Sequence, residues 1–169
     1  MSIALSTAIL VLIILLLIMI SAFFSSAETA LTAASEARIR QLAKTKTNRP
    51  AMRVEKLRKN KEELISTILV GNNLVNILAS ALATSAAISL TGDGGVALAT
   101  LVMTVIIVLF AEVLPKSYAF NNADRFSLKI ALIVQIIVWA LKPVTWSLRV
   151  IVIRLLRNKS EEGTSREDD

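Results

Sequence analysis

Hydrophobic positions along this chain fall into four long runs, and each run handles its polar residues differently. The first, IALSTAILVLIILLLIMISAFF over residues 3–24, holds no charge. At 1.5 Å per residue it is about long enough to cross a bilayer core. It lacks the positive leading stretch and short apolar core of a cleaved signal peptide, so it reads as a transmembrane helix. Residues 25–61 then turn polar. Between Ala27 and Ala43 the apolar positions Ala30, Leu31, Ala34, Ile39 and Leu42 suit an amphipathic helix leaving the membrane. The stretch Asn48–Pro50 breaks that pattern, and a second short basic helix follows.

The second run, residues 64–90, is uncharged but rich in small and polar side chains, among them Ser66, Thr67, Gly71, Asn72, Asn73, Asn76, Ser80 and Thr84. Lipid does not need these groups. Helices packed against other helices do, because small residues allow close approach and amides bond across the contact. "TGDGG" (91–95) predicts a tight turn. The third run, 96–114, is free of charge until Glu112, and Pro115 is expected to end or kink it. The fourth, 124–157, is apolar but carries Lys129, Lys142, Arg149, Arg154 and Arg157, with Pro143 dividing it into two pieces, each shorter than a span. Trp139, Trp146 and the spaced cations suit a helix lying in the inner interface, with Asp124 as its N-cap. A fourth, kinked span is the alternative. Residues 158–169 are polar and read as a disordered linker cut short.

Charge fixes an orientation for this pattern. Ten Lys and Arg lie between Arg38 and Lys61, while the 91–95 turn holds one acid and no base. Positive loops stay cytoplasmic, so the three spans imply an outside N-terminus and a cytoplasmic C-terminus. The fold class expected is an all-α membrane protein with three transmembrane helices per protomer, juxtamembrane amphipathic helices and a Pro-kinked interfacial belt helix. Residues 1–157 form the membrane domain. The net charge of +6 points to an anionic inner leaflet as the surface partner. Nucleic acid is not expected, because no aromatic lies in the basic stretch to stack on bases.

Composition narrows the chemistry further. The chain has no Cys and no His. That excludes disulfides, thiolate or imidazole metal sites, and any nucleophile–base pair built on those residues, so no enzyme is expected. A metal site must use oxygen ligands, which favours hard cations. Ionisable residues within spans are costly and are functional candidates by default. Glu112 is the only carboxylate inside an expected span. Its bland reading is a helix-end residue pairing with Lys116 at i,i+4. The sharper reading adds Ser21, Ser25 and Ser26 near the inner end of the first span, and Gly71, Asn72 and Asn73 about two turns into the second. These sets fall at similar depth and could form an oxygen cage for one small cation, with Asn73 ranked below Asn72. Pro115 also leaves the Ala111 carbonyl without its usual donor. Composition alone does not separate Mg2+ from Na+ or Ca2+.

Three stretches together carry a family resemblance: SAFFSSAETALTA (21–33), LVGNNLVNILAS (69–80) and FAEVLPKSYA (110–119). They resemble, in order, the transmembrane domain of the CorC/CNNM (cyclin M) Mg2+ transporters, and the likeness covers nearly the whole chain. It implies a homodimer in the cell membrane that exports Mg2+ coupled to Na+ entry. It places the ion site on Ser21, Ser25, Gly71, Asn72 and Glu112. Asn73 departs from the eukaryotic pattern, and Ala111 stands where the family often has Gly. The family usually adds a cytosolic CBS module that binds ATP, which this chain does not contain. A non-transporting Mg2+ sensor or scaffold is the competing function. It would bind the ion without moving it.

Overall fold

The structure is a computed structural model, and it describes residues 2–45 and 47–164. Among the described residues every regular element is helical and none is a strand. α1 spans Ser2–Ala33, about two turns longer than the charge-free run. The serines, threonines and alanines after Phe24 keep the helix going, with Thr29 and Thr32 donating back to the carbonyls of Ser25 and Glu28. The amphipathic helix expected over 27–43 is therefore split at Ser35, and its second part is α2 (Glu36–Lys44). α3 (Arg49–Lys59) follows Asn48, whose side chain caps it by accepting from the Ala51 amide, with Pro50 in the first turn.

α4 (Lys61–Thr91) ends at Gly92, whose φ of 71° is the left-handed conformation a glycine adopts freely. A short 3-10 turn leads to α5 (Gly95–Ile106). Pro115 does not end the third run. The chain widens into a π-helical segment over Ile107–Val113 and continues as α6 (Leu114–Asn121). In a regular α-helix the Pro115 ring would press on the Ala111 carbonyl. A wider turn just before it relieves that clash, and the Leu114 amide reaches five residues back to Leu109. α5, the π segment and α6 thus form one rod over Gly95–Asn121.

α7 runs without interruption over Ala123–Thr164, with Pro143 inside it. Pro143 therefore does not divide the run, and the helix enters the polar stretch that begins at 158. Residues 165–169 lie outside the described residues. The Thr145 hydroxyl bonds the Leu141 and Lys142 carbonyls beside the proline, the kind of side-chain help that lets a helix carry Pro. Among the described residues four helices are long and apolar enough to cross a membrane: Leu5–Ala33, Lys61–Thr91, Gly95–Asn121 and Ala123–Ser147.

Burial is uneven along the bundle. α1 packs along α4 and along the π segment and α6. The larger apolar cluster joins Phe24, Ala27 and Leu31 of α1 to Ile39, Val54, Leu57, Leu64 and Ile68, and to Ile130, Ala131 and Val134 of α7. It sits at the basic end of the molecule. A smaller cluster, Leu17, Ile18, Ala79, Met103 and Ala111, lies further along the bundle.

The basic end is pinned at one peptide group. Arg58 donates to the Ala34 carbonyl at 2.8 Å, and the Ser35 amide of the same peptide donates to Asp124 at 2.8 Å. Asp124 also pairs with Arg38 at 3.3 Å. Asp124 thus serves the start of α2, where its expected role was to cap α7. Further along α7, Lys142 pairs with Glu63 at the start of α4, at 3.5 Å.

These two anchors set the course of α7. Ser21 and Asn72 touch, so they mark a common level on the antiparallel α1 and α4. Ser35 lies about 21 Å below that level and Glu63 about 14 Å below it, at 1.5 Å per residue. The anchors therefore differ in level by about 7 Å, whereas the α7 segment joining Asp124 to Lys142 is about 27 Å long. Asp124 and Lys142 thus hold α7 to the rest of the molecule at two points about 27 Å apart along its length.

Candidate cation site

Ser21 and Ser25 are one turn apart on α1, and both are fully buried. Leucines on the same helix, such as Leu12 at 68% exposure, face outward. The polar residues are therefore inside and the apolar ones outside, as suits a helix whose solvent is lipid. Close approach of α1 and α4 depends on Gly71. A Cβ there would lie 2.6 Å from the Phe24 ring, which is itself buried. The gap lets the Ser21 hydroxyl donate to the Asn72 side-chain carbonyl at 2.7 Å.

Two oxygens near this bond have no partner. Ser25 Oγ and Asn76 Oδ1 are both buried without a hydrogen bond among the described residues. Leaving a buried polar atom unmade costs about 1–3 kcal/mol, so two of them within a turn of the Ser21–Asn72 contact need a reason. Asn76 had been noted in the sequence only as one of many polar residues of its run. Its place four residues after Asn72, on the same helix face, was the signal available.

Glu112 lies in the π segment, which packs on α1. It is half-buried and makes no hydrogen bond or ion pair among the described residues. Neighbouring Ala111 is fully buried, so the alanine meets the close-packing demand at that position. Lys116 does not pair with Glu112. It lies 3.7 Å from Glu28 of α1. Ser26 donates to the Pro115 carbonyl at 3.3 Å and ties α1 to α6. Ser26 is therefore a structural contact.

Of the residues singled out from the sequence, Ser21 and Asn72 meet directly, Gly71 faces the Phe24 ring beside them, and Ser25 lies one turn along the same face as Ser21. Glu112 lies on the π segment that packs on α1. Asn73 is exposed, a third of a turn away from Asn72, and does not join them. Among the described residues no group of three or more His, Cys, Asp or Glu could hold a metal. What these residues offer together is neutral oxygen and one carboxylate. That donor set fits a hard cation and no soft one. π segments inside α-helices recur at functional sites.

Sequence comparison places these features in a family. Residues 12–169 match the family described as the cyclin M transmembrane N-terminal domain. The chain belongs to that family. The UPF0053 inner membrane protein YfjD of Escherichia coli is 44% identical over 138 residues, 82% of this chain and 32% of its own length. A UPF0053 protein of Haemophilus influenzae is 38% identical over 156 residues, 92% of this chain and 36% of its own length. A chloroplast DUF21 domain-containing protein of Arabidopsis thaliana is 40% identical over 127 residues, 75% of this chain and 18% of its own length. The chain thus spans about a third of the length of these two bacterial proteins. As a cyclin M domain it is a membrane protein with several apolar helices.

Proposed function

We propose that this chain is the membrane domain of a Mg2+ transporter, with one Mg2+ bound per protomer by Ser21, Ser25, Asn72 and Glu112. The observation that carries the reading is the buried, unpartnered Ser25 hydroxyl one turn along α1 from the Ser21–Asn72 contact. Mg2+ takes about six oxygens and dehydrates reluctantly, so it keeps water beside a few protein ligands. Ser21 is already bonded, yet its oxygen retains lone pairs for a cation. Glu112 supplies the single negative charge. Gly71 acts by allowing the approach, and Asn73 is left out of the ligand set.

The orientation follows from charge. The end holding α2, α3 and the start of α4 is the basic one, and basic loops stay cytoplasmic. In this reading α1, α4 and the Gly95–Asn121 rod are the three spans. α7 lies along the inner leaflet as a belt, supported by anchors about 7 Å apart in level on a segment of about 27 Å. The protomers act as a homodimer in the cell membrane, with a cytosolic module in the longer protein. Transport runs by alternating access around the site, outward for Mg2+ and driven by Na+ entry.

The test is flux. In proteoliposomes, wild-type protein moves Mg2+ down an imposed gradient, and a Na+ gradient alone drives Mg2+ against its own. Glu112→Gln abolishes both. Saturable Mg2+ binding with no flux in either condition would make the chain a sensor instead.

A further inference from the structure

We propose that the cleft between the α3–α4 corner and α7 binds the phosphate headgroup of an anionic membrane phospholipid. The cleft has a volume of about 170 Å³ and is lined by Lys56, Asn60, Glu63, Gln135, Trp139 and Lys142. Its apolar floor includes the buried Leu57 and Leu64. At about 30 Å³ per water, it holds roughly six waters, room for a headgroup and not for acyl chains.

The donor inventory suits a phosphate. Two ammonium groups, two side-chain amides and an indole N–H face a single carboxylate. Glu63 is matched by Lys142 at 3.5 Å. Lys56 has no acidic partner among the described residues, so the cleft keeps one uncompensated positive charge. Basic clefts of this kind on the cytoplasmic side of membrane helices are suited to lipid headgroups.

Free phosphate has the same chemistry, but the surroundings favour a lipid. Leu132, Ile133, Ile136 and Trp139 form an exposed apolar face on α7 that runs away from the cleft. Acyl chains can lie along that face while the headgroup enters. Trp139, at 78% exposure, has the amphipathic ring that settles at a membrane interface. The proposal rests on the belt placement of α7 and not on the Mg2+ site. Occupancy would brace α7 against the start of α4.

The probe is Trp139 fluorescence in the full chain carrying Trp146→Phe, leaving one tryptophan. In mixed micelles, phosphatidylglycerol should give a saturable change that phosphatidylcholine does not. Lys56→Gln with Lys142→Gln should weaken it about 30-fold, from about fivefold per lysine near a membrane surface. Lys56→Gln alone keeps the Glu63–Lys142 pair and should still cost about fivefold. Helical circular dichroism and size exclusion establish that each variant is folded. Equal titration by the two lipids, or unchanged affinity in the folded Lys56→Gln variant, overturns the proposal. Saturation by inorganic phosphate in lipid-free detergent overturns the lipid source. Lipids brominated near the headgroup should quench Trp139 more than those brominated at the chain end. The reverse would place Trp139 deep in the bilayer and sink the belt placement with the proposal.

Discussion

The two halves of α1 obey opposite rules. From Leu5 to Leu16 the helix is apolar and mostly exposed, touching little. From Leu17 to Ala33 it meets α4, α7 and the π–α6 rod, and its fully buried side chains include two serines. The first half needs only to be compatible with lipid. The second half must solve a packing and a polarity problem together. Small residues let helices approach, and the approach brings hydroxyls and amides within bonding distance where water is absent. Position-specific chemistry therefore concentrates in the second half, and substitutions there should hurt while those in the first half are absorbed.

The largest expected effect is at Glu112. Glu112→Gln keeps shape and hydrogen-bonding capacity but removes the only charge in the ligand set. Mg2+ affinity should fall at least about 100-fold, or about 3 kcal/mol, with the helical spectrum unchanged. Leu12→Ala, in the exposed half, should leave affinity as it is.

Next comes Gly71. Gly71→Val drives methyl groups into the Phe24 ring, and overpacking of this kind costs about 1–3 kcal/mol. Thermal unfolding in detergent should shift down, and the Ser21–Asn72 bond should be lost with it. An unchanged midpoint would mean that Phe24 moves aside freely and that the close approach is not what holds α1 to α4.

The serines sharpen the contrast within the buried half. Ser21→Ala leaves the Asn72 carbonyl unpaired and should cost about 1–3 kcal/mol of stability. Ser25→Ala removes a hydroxyl that has no partner, so ion-free stability should hold steady or rise, while Mg2+ affinity falls about tenfold. Loss of stability in Ser25→Ala without loss of affinity would make that hydroxyl structural. The smallest effect is predicted for Asn73→Ala, which should change neither, since Asn73 is exposed.

Much of this was legible in the residues. The charge-free runs located the long helices, and the Ser, Gly-Asn and Glu stretches supplied the candidate ligands. Other features were hidden for physical reasons. Pro115 and Pro143 read as breaks, but a π segment accommodates the first and Thr145 helps carry the second within a helix. Lys116 looked like a partner for Glu112 because i,i+4 neighbours are visible in sequence, whereas Glu28 is 88 positions away. Asp124 looked like a local cap for the same reason, yet its bonds cross to Ser35 and Arg38. Asn76 was one amide among several until burial and the lack of a partner set it apart. Local patterns announce elements. Which side chains meet across them depends on packing.

The central claim is that Ser25 is unpartnered because its oxygen serves a cation beside Glu112. The most direct measurement is calorimetric Mg2+ titration of the purified wild type, Glu112→Gln and Ser25→Ala, with Ca2+ and Na+ as competitors. Saturable binding with one Mg2+ per protomer, lost in Glu112→Gln and weakened about tenfold in Ser25→Ala at undiminished stability, is the result predicted. Equal binding by all three proteins, or none by the wild type, would contradict it.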